Sequence, residues 1–341
     1  MEAIILAGGY GTRLRPLTYS RAKPLLPIMN KPMVSYIAEQ LPPEVDKVIL
    51  AVNYRKDQIE DYFKDHDFGM ELIVNDEPEP LGTGGATKFA EEHITGPFFV
   101  LNSDIICSLK LQEMIEYHNK HKATATISLW PVENVSEFGV VDMGSEEGNV
   151  IGFVEKPKPE DAPSNLINAG AYLLEPEVLD YIPTGKLVSM EKEIFPQIIE
   201  KTQSFYGYQF QGYWIDVGRI TSYLDVHQKL LSSQNLENLL GDKVSCSGKI
   251  QKSVIGNYAN IGNNSTLDNC IVLDHATIED GCTLKNSVIG ASATIKANSK
   301  LDYTVAGDGE TVEGTHHNEL IWTQEIPKGY PKKQIGNVIG E

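Results

Sequence analysis

Ala3-Ile4-Ile5-Leu6-Ala7-Gly8-Gly9-Tyr10-Gly11-Thr12-Arg13-Leu14-Arg15-Pro16-Leu17-Thr18 begins as an apolar run and breaks into a glycine-rich turn. The first four residues read as a buried strand. Glycines permit positive φ and close approach, and successive N–H groups in such a turn form a nest for an anion. Arg13 and, after Arg21-Ala22, Lys23 add fixed positive charge. The simplest ligand is a polyphosphate. The spacing is not that of the P-loop, and Leu14 stands where the Rossmann G-x-G-x-x-G would place its third glycine. A strand followed by G-x-G is also, by itself, an ordinary tight turn.

The composition narrows the partners. The chain has 341 residues, enough for two domains, and a net charge of −18. That charge argues against nucleic acid or an anionic membrane surface, though a few local cations suffice for one triphosphate. No apolar stretch reaches the ~18 residues that span a bilayer. The first residues lack a basic, signal-type leader, so a cytoplasmic protein is expected. Cys107, Cys246, Cys270 and Cys282 show no C-x-x-C spacing and read as core thiols rather than a zinc or disulfide framework.

Apolar runs at Val48-Ile49-Leu50-Ala51-Val52 and Phe98-Phe99-Val100-Leu101 alternate with helical stretches at Lys56 to Lys64 and Gly84 to His93. This pattern predicts a parallel sheet covered on both faces, with ligands at the carboxyl ends of its strands. The Gly-rich loop and Asn102-Ser103-Asp104 both fall at such ends. Further strands are expected at Phe138 to Asp142, Val150 to Glu155, Ala169 to Leu174 and Phe205 to Gln211, then a helix from Arg219 to about Leu240.

From Ile255 the pattern changes. Aliphatic residues stand at 255, 261 and 267, at 272, 278 and 284, and at 289, 295 and 301. Spacings of six, six and five make a 17-residue repeat, present three times, with Val244, Ile250 and Val312 as partial extensions. A hexapeptide rhythm marks a parallel β-helix whose inward aliphatics stack into ladders. Because one hexad per coil is a residue short, one edge of the coil is expected to be tighter. Beyond His316 the period is lost, and His316-His317 reads as part of a solvated loop.

The string Gly8 to Thr18 with Lys23-Pro24 resembles the signature of the sugar-phosphate nucleotidyltransferases, the NDP-sugar pyrophosphorylases. Pro80-Leu81-Gly82-Thr83-Gly84-Gly85, Phe153-Val154-Glu155-Lys156-Pro157, Ile167-Asn168-Ala169-Gly170, Ser189-Met190-Glu191-Lys192-Glu193 and Gly212-Tyr213-Trp214-Ile215-Asp216-Val217-Gly218 are similar to further segments of that family, most of all to its GDP-mannose-forming branch. The resemblance implies an α/β fold: a Rossmann-like mixed-sheet nucleotidyltransferase domain, 1–230, then a left-handed parallel β-helix of hexapeptide repeats. A helical linker at 231–243, the β-helix at 244–315 and a tail at 316–341 complete the division.

It also implies a reaction: an NTP and a sugar 1-phosphate give an NDP-sugar and pyrophosphate, with Mg²⁺. The attacking phosphate is already anionic, so the chemistry needs charge neutralisation and in-line positioning rather than a general base. By resemblance, Arg13 and Lys23 are the catalytic cations, and Asp104 and Asp216 the metal ligands. Leu6, Ala7, Gly8, Gly9, Gly11, Thr12, Pro80, Leu81, Gly82 and Asn102 hold the nucleotide. Glu77 stands where the family places a base-reading side chain. An ionised carboxylate accepts only, matching guanine's adjacent N1–H and N2–H₂ donors, so GTP is favoured. Gly139, Glu155, Lys156, Asn168 and Gly170 take the sugar phosphate, mannose 1-phosphate in the first instance.

Rival readings are the same transfer with dTTP, UTP or ATP onto glucose 1-phosphate, a non-catalytic subunit that binds sugar nucleotides, and an acyltransferase, for which His275 in a coil has no evident catalytic partner. An end coil that another subunit can cover points to a homo-oligomer.

Overall fold

The computed structural model describes residues 1–66, 68–145 and 148–331. The chain forms two compact units. One holds Met1–Gly9 and Tyr36–Trp214; the other holds Tyr10–Ser35 and the described residues from Ile215 onward.

The first unit is built on a nine-stranded mixed sheet. Its main order runs Val150–Glu155, Gly139–Met143, Leu166–Leu174, Phe98–Asn102, Glu2–Leu6, Lys47–Val52, Glu71–Asp76. The last four are parallel, with Ile4 level with Ile49 and Val100. Ile4, Ile49 and Val100 are fully buried, as continuous apolar runs in a parallel sheet require. Leu166–Leu174 runs antiparallel to Phe98–Asn102 and to Ala125–Pro131, which pairs in turn with Phe205–Gln209. Its register slips between Asn168 and Tyr172, where Gly170 takes φ +80°. Helices span Lys56–Asp65, Gly82–Phe89 and Leu111–His121. The helix expected to reach His93 stops at Phe89, and Glu91–His93 is a separate 3₁₀ turn.

In the second unit, three parallel sheets of six, five and five strands stack into coils consistent with the left-handed β-helix. The expected ladders are all present and buried: Ile255–Val272–Ile289–Ala306, Ile261–Ile278–Ile295–Val312 and Leu267–Leu284–Leu301. Buried serines support them. Ser253, Ser265 and Ser287 accept the N–H of Cys270, Cys282 and Thr304 in the next coil. The tight edge is also found. Two residues, 269 and 270, separate the strands Thr266–Asp268 and Ile271–Val272, whereas four residues turn each of the other corners. Asn269, Asn286 and Asn318 hold positive φ there, a conformation asparagine tolerates.

The coils extend further than the aliphatic spacing reveals. Leu239–Leu240 is already a strand, paired with Val254–Ile255, so the connecting helix is shorter than expected and spans Ile220–Ser233. At the other end, Thr315–His317 stacks on Lys300–Asp302 and Leu320–Ile321 on Val305–Ala306. His316-His317 therefore lies in a strand and not in a solvated loop. The period is hidden because His316 follows its rung partner Leu301 by 15 residues instead of 17. Residues 332–341 of the expected tail lie outside the described residues. Cys107, Cys270 and Cys282 are buried thiols, whereas Cys246 is exposed and is not a core residue.

The segment Tyr10–Ser35 is seated on this second unit. The Asn30 amide donates to the Ile255 carbonyl, and the Tyr223 hydroxyl of the connecting helix donates to the Pro27 carbonyl. Ser20 and Arg21 both donate to the Asp308 carboxylate, and Tyr19 packs on Trp322.

Candidate active site

Leu6, Ala7 and Gly8 leave the first strand at its carboxyl end, where the Ala7 N–H donates to the Ala51 carbonyl. A Cβ on Gly8 would make ordinary contact with Asn53 at 3.6 Å, and Gly9 is exposed. Asn102 is level with Leu6, and half-buried Asp104 sits in the turn that follows. These residues meet at one end of one sheet, as the strand pattern predicts.

Glu77 follows the next strand but one and is 6% exposed. Its carboxylate accepts the Leu81 N–H at 3.1 Å, which closes the loop carrying Pro80, Leu81 and Gly82. Burial pushes the Glu77 carboxyl above the usual range, with the Leu81 hydrogen bond opposing it. Gly82 has φ +73°, and a Cβ there would stand 2.6 Å from the Val188 carbonyl oxygen. One at Gly85 would lie 2.4 Å from that of Lys186. The glycines of this loop thus admit the backbone of 186–188.

The sugar-phosphate candidates form a second group in the same unit. Glu155 is level with Gly139, where a Cβ would stand 2.8 Å from the Glu155 carboxylate. The same Cβ would stand 2.3 Å from the Phe153 ring, so Gly139 makes room for both neighbours. Burial raises the Glu155 carboxyl; Lys156 opposes this and Glu191 adds to it. Lys156 is exposed, holds φ +50°, and reaches within 3.8 Å of Glu155. A Cβ at Gly170 would come 2.8 Å from the Asn102 amide, so this bulge lies against the strand end described above.

Asn168 belongs to a network that spacing alone does not reveal. Its Oδ1 accepts the Gly170 N–H, and its Nδ2 donates to the Tyr172 hydroxyl at 2.7 Å. Tyr172, fully buried, donates to Glu191 at 3.1 Å. The Glu191 carboxylate also accepts from Thr83 at 2.8 Å and Ser189 at 2.6 Å. Thr83, Tyr172 and Glu191 therefore tie the Gly82 loop to the Asn168 bulge. The one signal in the sequence is the Ser189-Met190-Glu191 string, in which Ser189 caps the following turn by accepting the Lys192 N–H.

Gly11, Thr12, Arg13, Lys23 and Asp216 belong to the second unit. Gly11 has φ +64°, and a Cβ there would stand 2.8 Å from Thr18 and 3.1 Å from Lys23. Lys23 is 9% exposed, whereas Arg13 is exposed. A Cβ on Gly218 would lie 2.9 Å from the Arg13 guanidinium and 3.0 Å from the Asp216 carboxylate. Arg13 and Asp216, 203 positions apart in the chain, are thus brought to one glycine. Among the described residues, no group of three or more His, Cys, Asp or Glu is placed to hold a metal unaided. No described helix is long and apolar enough to cross a membrane.

A Rossmann-like sheet with backbone and carboxylates at its strand ends, on a chain that also forms a parallel β-helix, has the architecture of the nucleotidyltransferase class. The chain belongs to the nucleotidyl transferase family, whose model matches residues 2–233, and a model for the GMPPB C-terminal domain matches residues 241–336. It is similar to the mannose-1-phosphate guanylyltransferase catalytic subunit beta of Xenopus tropicalis, 44% identical over 230 residues, covering 66% of this chain and 63% of that protein. It is also similar to mannose-1-phosphate guanylyltransferase 1 of Arabidopsis thaliana, 38% identical over 294 residues, covering 84% and 78%. The chain thus spans a little under two thirds of the length of the first of these relatives. A crystal structure of UDP-glucose pyrophosphorylase with UDP-glucose matches with a TM-score of 0.61 at 25% identity, over 68% of this chain and 98% of that one.

Proposed function

We propose that the protein joins GTP and mannose 1-phosphate to give GDP-mannose and pyrophosphate. The observation that carries the transfer chemistry is the meeting of Arg13 and Asp216 at Gly218, in the unit that also holds Lys23. The names of the relatives support the choice of guanine and mannose.

In this reading a phosphate oxygen of mannose 1-phosphate attacks the α-phosphorus of GTP. The bond from that phosphorus to the bridging oxygen of the β-phosphate breaks, and pyrophosphate leaves with the electron pair. Arg13 and Lys23 offset the charge that builds on the phosphoryl oxygens and the leaving group. The backbone at Leu6, Ala7, Gly8, Gly9, Gly11 and Thr12 receives the nucleotide. The Gly82 loop faces the base, and Glu77 accepts from guanine with the carboxylate oxygen not engaged by Leu81. Glu155 and Asn168 bind sugar hydroxyls beside Gly139 and Gly170, and Lys156 binds the 1-phosphate.

The donor chemistry suits Mg²⁺. Asp104 and Asp216 each offer hard oxygen ligands, and this ion typically takes one or two carboxylates and fills the remaining positions with phosphate oxygens and water. When bound, it supplies charge neutralisation to the triphosphate. The reading further makes the protein a cytoplasmic homo-oligomer. The terminal strand Leu239–Leu240, whose Leu240 is 49% exposed, supports the second point by offering a sheet edge.

The test is pyrophosphate release from GTP, dTTP, UTP and ATP, each paired with mannose, glucose and N-acetylglucosamine 1-phosphates. The expected result is turnover greatest with GTP and mannose 1-phosphate and dependent on Mg²⁺. No turnover with any pair would leave the non-catalytic reading, and a preference for another pair would reassign base or sugar.

A further inference from the structure

Tyr330 lies 312 positions beyond Thr18, yet both belong to the second unit and they touch. Tyr330 is 3% exposed. Its hydroxyl donates to the Tyr10 carbonyl at 3.0 Å and lies 2.8 Å from the Thr18 hydroxyl. Thr18 is in turn 2.9 Å from the Gly11 carbonyl. Tyr10 and Thr18 bracket the turn that carries Gly11, Thr12 and Arg13, so one side chain holds both ends of that turn.

The grip involves more than the hydroxyl. The Tyr330 ring meets Tyr10 and Tyr19 edge-on, with centroids 5.8 and 4.9 Å apart. The Arg15 guanidinium stands over the same ring at 4.8 Å and donates to the Pro331 carbonyl. An aromatic ring under a guanidinium and between two other rings is a rigid anchor, with only two side-chain torsions to fix. The tip of the turn is open, with Gly11 and Thr12 half-exposed and Arg13 exposed, whereas Leu14 and Leu17 beyond it are fully buried.

We propose that Tyr330 is a positioning residue for the triphosphate-binding turn, so that the far end of the chain sets the aim of Arg13. The inference rests on the transfer reaction proposed above and adds to it a dependence on residues 322–331. It identifies the part of the substrate concerned as the triphosphate of the nucleotide, with the sugar phosphate unaffected.

The test uses the full chain and three variants, Tyr330→Ala, Tyr330→Phe and Thr18→Val. Steady-state kinetics with Mg-GTP and mannose 1-phosphate are measured together with hydrogen exchange of the amides of residues 10–18. For Tyr330→Ala the expected result is at least a tenfold rise in KM for GTP, an unchanged KM for mannose 1-phosphate, and faster exchange confined to residues 10–18. Tyr330→Phe keeps the ring contacts and recovers most of the loss, while Thr18→Val resembles Tyr330→Phe. A merely structural role would lower the active fraction and leave both KM values alone, and that result overturns the proposal. Unchanged exchange at residues 10–18 in Tyr330→Ala also overturns it. Should the wild-type chain show no transfer with any substrate pair, the catalytic reading fails, and the exchange measurement still decides whether Tyr330 holds the turn.

Discussion

Replacing Glu191 by alanine removes the acceptor shared by three hydroxyls. Tyr172, Thr83 and Ser189 stand 3.1, 2.8 and 2.6 Å from its carboxylate. Thr83 and Ser189 are half-buried and can turn to solvent. Tyr172 cannot: it is fully buried and already accepts from Asn168, so its own proton is left without an acceptor. A stranded buried donor costs about 1–3 kcal/mol, and loss of the charged hydrogen bonds brings the expected destabilisation to about 2–4 kcal/mol. Glu191→Gln keeps an acceptor oxygen and should cost about 1 kcal/mol. The assay is urea unfolding of Glu191→Ala, Tyr172→Phe and the double variant, with mannose 1-phosphate kinetics alongside. Deleting donor and acceptor together should recover at least ~1 kcal/mol relative to the sum of the single changes. Asn168 should lose its orientation in Glu191→Ala, raising the KM for mannose 1-phosphate roughly tenfold, equivalent to ~1.4 kcal/mol. A change below ~0.5 kcal/mol in Glu191→Ala, or additivity in the double variant, would refute the network's role.

Gly218→Ala pushes a methyl group between Arg13 and Asp216, both mobile side-chain ends rather than backbone. Turnover should fall roughly 100-fold, ~2.7 kcal/mol in the barrier, with little change in melting temperature; near-native turnover would detach these two residues from the reaction. Burial holds His227 down at about 4, against an ordinary value of 6.5. The unfolded chain therefore takes up the proton first. This residue's contribution is present above pH 6.5 and is lost as pH falls towards 4, on the order of 3 kcal/mol in all. His227→Phe should flatten that part of the stability–pH curve, and a parallel curve for the variant would contradict the assignment. The Glu155 carboxyl is raised, so it should protonate at a higher pH than an ordinary glutamate. The advantage of wild type over Glu155→Gln in kcat/KM for mannose 1-phosphate should accordingly shrink between pH 7 and pH 5, and a constant ratio would remove Glu155 from sugar binding.

The β-helix is legible because each coil repeats one inward aliphatic at each side, so three repeats leave little freedom. It ceases to be legible where the rung is filled by something else. His316 occupies the inward slot below Leu301 after a shorter loop and is steadied by Glu319 at 2.9 Å and the Glu313 carbonyl at 3.0 Å. Leu239–Leu240 continues a leucine-rich stretch without proline, and local propensity cannot tell the end of a helix from a two-residue strand there. In the candidate site, strand ends and glycine turns are visible because they are local. The Glu191 network is not, since Thr83, Tyr172 and Glu191 meet only when three separate segments pack. The glycines at 82 and 85 illustrate the same limit: the sequence shows the need for close approach, and the structure shows that the backbone of 186–188 is what approaches.

The seating of Tyr10–Ser35 on residues 255–331 also orders events in time. Arg13 and Lys23 are synthesised before Asp308, Trp322 and Tyr330, with 317 positions separating Arg13 from Tyr330. At ~5–20 residues per second, roughly 15–60 s pass between the synthesis of Arg13 and that of its support at Tyr330. The apolar strands of the first unit can pair long before then. The segment Tyr10–Thr18 therefore waits for its contacts with Tyr330 until that residue has been made.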